Sequence, residues 1–119
     1  LERIDPDPRR FLSIAERERV SLVPVGEVIY LKAEQKYVTI RTREREYLLE
    51  ESLAQLEKEF AKVFIRVHRN CLVARRMIRG FERGLETEGE AGWSVVLEGW
   101  EERLPVSRRQ WGHVKALVK

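Results

Sequence analysis

Residues 64–76 read FIRVHRNCLVARR and set six hydrogen-bond donors, Arg66, His68, Arg69, Asn70, Arg75 and Arg76, among an apolar spine of Ile65, Val67, Leu72 and Val73. A strand that only closes a core has no use for so many guanidinium groups beside a histidine and an asparagine. A segment that sits on phosphates and touches base edges needs those donor types, because guanidinium and amide groups match phosphate and purine edges with paired bonds. A second such place is Ser107-Arg108-Arg109, the start of the amphipathic run SRRQWGHVKALVK. Cations in the first turn of a helix oppose its dipole, at a cost of a few tenths up to about 1 kcal/mol each. That placement makes sense if the two arginines and the free N–H groups hold an anion together. Both clusters point to duplex DNA.

The chemistry these residues exclude is as informative. With one cysteine and two histidines in 119 residues, an internal disulfide is impossible and a structural zinc site is not expected. His68 and Cys71 stand three apart without an orienting acid, and no Gly-rich phosphate loop is present, so the chain is not read as an enzyme and no cofactor is expected. Length fits one domain with a single core. No apolar run approaches a membrane span and no secretory signal is seen, which implies a soluble, cytoplasmic chain without membrane contact.

Charged residues make up 36% of the chain, yet the net charge is only +3. The distribution matters more than the total. Residues 64–84 carry six arginines against one glutamate, residues 104–119 carry four bases and no acid, and residues 85–102 between them hold six glutamates and no base. If the basic segments meet while the acidic one points away, the domain has one positive face.

The elements that must position these residues follow from periodicity. Asp5-Pro6-Asp7-Pro8 is stiff and polar, so residues 1–10 read as a linker from an upstream domain and 11–119 as the domain proper. Phe11–Ala15, Arg19–Val23, Val28–Ala33, Tyr37–Arg41 and Arg45–Leu49 have the composition and alternation of strands. In KYVTIRTR, Val38 and Ile40 face the core while Tyr37, Thr39 and Arg41 look outward. Ser52 with Gln55 forms a capping box for a short helix whose Leu53, Leu56 and Phe60 face the core, with Glu57, Lys58 and Glu59 opposite. Met77–Glu82 and Ser94–Leu97 are strands around the loop GLETEGEAG, whose glutamates lack calcium-loop spacing. Glu101–Val106 is a last strand before a helix capped by Ser107, with Trp111, Val114, Leu117 and Val118 on its apolar side. Trp93, Trp100 and Trp111 read as packing, and Cys71 as a small buried hydrophobe.

Three blocks, EVIYLKAEQKYVTIRT, ESLAQLEKEF running into FIRVHRNCLVA, and LPVSRRQW, resemble the LytTR DNA-binding domain of bacterial response regulators, closest to its alginate-regulator branch. The resemblance implies a mainly β, elongated fold of small stacked β-sheets with two short helices. It further implies sequence-specific double-stranded DNA binding by the output domain of a two-component transcriptional regulator, on direct repeats in promoters, paired with a second copy and joined to an upstream receiver domain. The family's contact positions map to Lys36 with Tyr37, to Arg69 and to Arg108. Departures are Ala74, where many members have Asn, and Arg69 itself, where Asn in a relative would favour adenine and Arg favours guanine.

On this reading Arg69 and Asn70 contact bases, a bidentate arginine contributing about 1–3 kcal/mol of discrimination. Arg108 is a second reader of bases or phosphate. Arg66, Arg75, Arg76, Arg109 and Lys36 hold phosphates, giving affinity without sequence information. Tyr37 packs, and His68 either donates to phosphate or serves as a structural hydrogen-bonding residue. The competing readings are a β-barrel-like binder of RNA or single strands, for which Tyr37 and Tyr47 would be stacking platforms, and a protein-interaction module that uses a basic face.

Overall fold

Short alternating runs can bury one face each only by pairing, and in the computed structural model, which describes residues 8–84 and 90–117, they do so in three antiparallel sheets. Strands β1 (Phe11–Glu16) and β2 (Arg19–Pro24) form a hairpin. Strands β3 (Tyr30–Glu34), β4 (Tyr37–Arg41), β5 (Glu46–Leu49), β6 (Phe64–His68) and β7 (Cys71–Ala74) form a five-stranded sheet in the order β5-β4-β3-β7-β6. A third sheet holds β8 (Ile78–Arg83), β9 (Glu90–Leu97) and β10 (Trp100–Ser107), with β9 central. Helix α1 (Leu53–Glu59) joins β5 to β6, and α2 (Arg108–Leu117) follows β10 directly. The mainly β architecture of small sheets with two short helices is the one expected.

All four residues of β7 are buried, so both faces of this inner strand are covered. In the β1–β2 hairpin only one face is: Leu12, Ile14 and Val23 lie in the core while Phe11, Val20 and Leu22 remain exposed. Thr39, expected to look outward, is 7% exposed and donates its hydroxyl to Glu34 at 3.1 Å. A short polar side chain can be buried on a sheet face where a carboxylate accepts its proton.

At α1 the Ser52 hydroxyl accepts from the Gln55 N–H at 3.0 Å, the expected first-turn bond. Leu53, Leu56 and Phe60 are buried as the period requires. The acidic side is not plain solvent surface. Glu57 holds Arg66, and Glu59 with Glu51 grips Arg9, each of the latter two pairs at 2.8 Å. Arg9 therefore belongs to the folded unit, as does Arg10, whose carbonyl accepts from Val25 N–H at 2.9 Å. The domain's contacts thus begin before Phe11. Met77, expected in a strand, is buried in a 3-10 turn, Arg75–Met77, and β9 starts at Glu90 rather than Ser94. The linker residues up to Asp7, loop residues 85–89 and Val118 lie outside the described residues.

Arg9 hydrogen-bonds to Glu59 and holds that carboxyl below its ordinary value of 4.5, against the opposing effect of burial. A carboxyl depressed on folding stabilises the fold above pH 4.5, and that contribution is lost as the pH falls through the lower folded value. Arg9→Ala should therefore lower the unfolding free energy at neutral pH by up to about 1 kcal/mol, as for a partly exposed pair. In urea melts, the gap from wild type should shrink toward zero as the buffer is taken well below pH 4.

Candidate nucleic-acid interface

The register of β3 on β7 pairs Lys32 with Cys71, and one residue further on the Ala33 N–H donates to the Asn70 carbonyl at 2.8 Å. The β3–β4 turn and the β6–β7 turn consequently leave the sheet side by side. Gln35, at φ +51, supplies the left-handed residue that lets the two-residue β3–β4 turn close. Lys36, Tyr37, Arg69 and Asn70, carried by these two turns, are all exposed.

The third sheet leads into α2, whose first residues are Arg108 and Arg109, and β10 approaches the same end. Glu102 near the start of β10 accepts from the Tyr30 hydroxyl at 3.0 Å and from the Trp100 indole at 3.3 Å. Two residues later, Leu104 and Pro105 share a cleft of about 280 Å³ with Lys32, Ala33, Glu34, His68, Asn70 and Cys71. Strand β10 thus crosses from Tyr30 to the cleft at the Lys32–Glu34 end of β3, packs on β6 and continues into α2. There the Ser107 hydroxyl accepts from the Gln110 N–H at 3.2 Å, the cap expected from the sequence. Trp111 stacks on Trp93 at 4.6 Å and meets Phe81 edge-on at 5.3 Å, while Val114 is fully buried. Those contacts hold α2 with Arg108 and Arg109 exposed at its first turn. Leu117, expected on the apolar side, is 42% exposed.

Three of the expected phosphate ligands are placed otherwise. Arg66 has a side chain only 17% exposed, with Nε and Nη2 on Glu57 at 3.1 and 2.7 Å and Nη1 on the Arg69 carbonyl. Its donors are committed within the protein. Arg75 and Arg76 lie past the far end of β7, about 13 Å of strand from Asn70, where the Arg75 N–H meets the Val63 carbonyl at 2.8 Å. Arg76 donates to the Val28 carbonyl at 3.3 Å, and burial together with Arg43 lowers its pKa. A shared run of sequence does not make a shared surface when a strand separates its ends.

His68 is half-buried, and its Nδ1 accepts from the Asn70 N–H at 3.4 Å. Cys71 is 4% exposed, and burial pushes its thiol up to about 12. Trp100 packs under the Arg41 guanidinium at 5.0 Å. Sequence reasoning missed Tyr30 and Glu102, which orient β10 across 72 residues of chain. A tyrosine in an apolar strand and one glutamate among many carry no signal of their pairing.

Residues 18–119 match the LytTr DNA-binding domain model. The chain belongs to the LytTR DNA-binding domain family. It is 39% identical over 112 residues to the positive alginate biosynthesis regulatory protein of Pseudomonas aeruginosa, a match that covers 93% of the chain and 44% of that protein. It is 29% identical over 116 residues to a heme-containing CO-sensing transcriptional regulator of Paraburkholderia xenovorans, covering 95% of the chain and 42% of the relative. The LytTR domain described here thus spans less than half the length of these curated relatives. In three dimensions it resembles a LytTr DNA-binding domain from Bacillus cereus, with a TM-score of 0.76 at 22% identity, over 92% of this chain and 97% of that one. At that identity the likeness speaks for the fold.

Burial, and after it the Glu102 carboxylate, raise the pKa of the Tyr30 phenol well beyond the ordinary tyrosine range. In an alkaline titration followed by phenolate absorbance, one of the three tyrosines should ionise late, and Tyr30→Phe should remove that late step. If all three titrate together in the folded protein, the Tyr30–Glu102 link does not form in solution.

Proposed function

We propose that this LytTR domain binds duplex DNA with sequence preference through the end that carries Lys36, Tyr37, Arg69, Asn70, Arg108 and Arg109. The single supporting observation is convergence: donors from three separated parts of the chain emerge from adjoining strand ends. Arg69 and Asn70 on a turn, and Arg108 at a helix start, have the reach and donor types for base edges in a groove. Lys36 and Arg109 flank them and hold phosphates. His68 shapes the turn, and Arg75 and Arg76 do not take part.

The domain acts by binding rather than by catalysis, as the cytoplasmic output part of a two-component regulator whose receiver domain lies upstream. Two copies occupy direct repeats in a promoter. Both curated relatives described above are regulators and are more than twice as long as the matched region, which fits a further sensing or receiving domain. A single-strand or RNA reading is less well supported. Among the described residues Tyr37 is the one large aromatic exposed at this end, and base stacking needs several.

Titration against promoter duplex, random duplex and single strand at several salt concentrations should give a duplex preference, with log affinity falling steeply as log salt rises. Arg69→Ala and Arg108→Ala should flatten discrimination among duplexes by about 1–3 kcal/mol each. Lys36→Ala should weaken all duplexes alike and reduce the salt slope by about one. Arg75→Ala and Arg76→Ala should leave both readouts close to wild type, since they lie farther from the turn than the roughly 8–10 Å screening length of physiological salt. Equal affinity for single strands, or large losses at Arg75 and Arg76, would overturn the assignment.

A further inference from the structure

We infer that Arg66 is a specificity-determining positioning residue: by tying the Arg69 carbonyl to Glu57 on α1, it fixes the turn from which Arg69 and Asn70 reach the bases. The inference rests on the reading of that turn as the DNA reader and names what holds the reader still.

A two-residue hairpin turn ordinarily uses a primed geometry, with positive φ at its first or at both central residues, because that twist matches the flanking strands. Among the described residues Gln35 is the one non-glycine with positive φ, so Arg69 and Asn70 both have negative φ. Such a turn splays its strands. The pairing accommodates this with a bulge, stepping from Arg66 opposite Leu72 to His68 opposite Cys71, and bulges add local twist.

A turn of this kind needs bonds from outside its own ladder, and three backbone groups receive them. The Asn70 carbonyl accepts from Ala33, the Asn70 N–H donates to His68 Nδ1, and the Arg69 carbonyl accepts from Arg66 Nη1. Of these three, the Arg66 bond is the one that reaches α1. One edge of its planar guanidinium, Nε and Nη2, lies on Glu57 Oε1, and Nη1 reaches the turn, so one rigid fork sets the distance between helix and carbonyl. Lysine keeps the charge but presents a compact ammonium that cannot hold both partners in that plane. With Glu57 against it, Arg66 adds little net charge toward DNA. Its role is geometric.

The test compares Arg66→Lys, Glu57→Ala and Arg69→Ala with wild type, each confirmed folded by thermal melting. The readouts are selection from a random duplex pool and the salt dependence of affinity. The expected result is that R66K and E57A both lose preference, by about tenfold, at the base pairs where R69A loses it, with the salt slope unchanged in R66K. E57A is the sharper variant, because it removes the acceptor that holds the guanidinium. If Glu57 contributes only charge, removing an acid near a polyanion raises affinity for every sequence and leaves preference intact, and that result would overturn the inference. A salt slope reduced by about one in R66K, with preference intact, would instead make Arg66 a phosphate ligand. If R69A itself leaves the selected sequences unchanged, the turn is not the reader and the inference falls with that reading. The R69A arm alone reveals this.

Discussion

The pairing of β3 with β7 is the constraint on which the candidate surface depends. β3 is bonded on one side to β4 and on the other to β7. It therefore fixes two turns at once, one by direct continuation and one through the Ala33–Asn70 bond at 2.8 Å. A slip of one residue would turn every side chain of the shifted strand to the opposite face, and it would carry Arg69 and Asn70 away from Lys36. Leu31, Leu72 and Val73 oppose such a slip, since all are buried to 0% exposure and would be turned out of their places.

A second link joins the remaining sheet to this frame. The Arg43 guanidinium, from the β4–β5 turn, donates to the Gly99 carbonyl at 3.1 Å. Gly99 sits at φ +66 in the β9–β10 turn, and a Cβ there would lie 3.3 Å from the same guanidinium. Glycine thus serves both the backbone and the close approach. Together with Tyr30, Glu102, Trp100 and Arg41, this contact sets the path of β10 across the sheet, and the stacked Trp93 and Trp111 then decide where α2 begins. Position at the helix start is inherited from contacts at the far end of the strand.

The parts legible in the sequence were those governed by local periodicity and local caps. Strand alternation, the Ser52 and Ser107 hydroxyls and the buried Cys71 all depend on near neighbours. The other arginines of the run around Arg69 were a different matter. Arg66, Arg75 and Arg76 share a donor-rich run with Arg69, but which end of a strand a residue occupies, and which acid it meets, is set by partners far along the chain. Arg66 meets Glu57 because α1 packs beside β6, and Arg9 meets Glu59 across 50 residues. Charge clustering counts residues by neighbourhood in the chain, whereas a surface counts them by neighbourhood in space. Thr39 shows the same limit at smaller scale, its burial decided by a glutamate that period-two reasoning assigns no part.

The surroundings of Cys71 have a practical bearing. With its thiol pushed up to about 12 by burial and its sulfur out of contact with solvent, Cys71 stays in the thiol form at neutral pH. Maleimides and mild oxidants act on the thiolate. A fluorophore can therefore be attached at a cysteine introduced on the surface of this domain while the native sulfur stays silent.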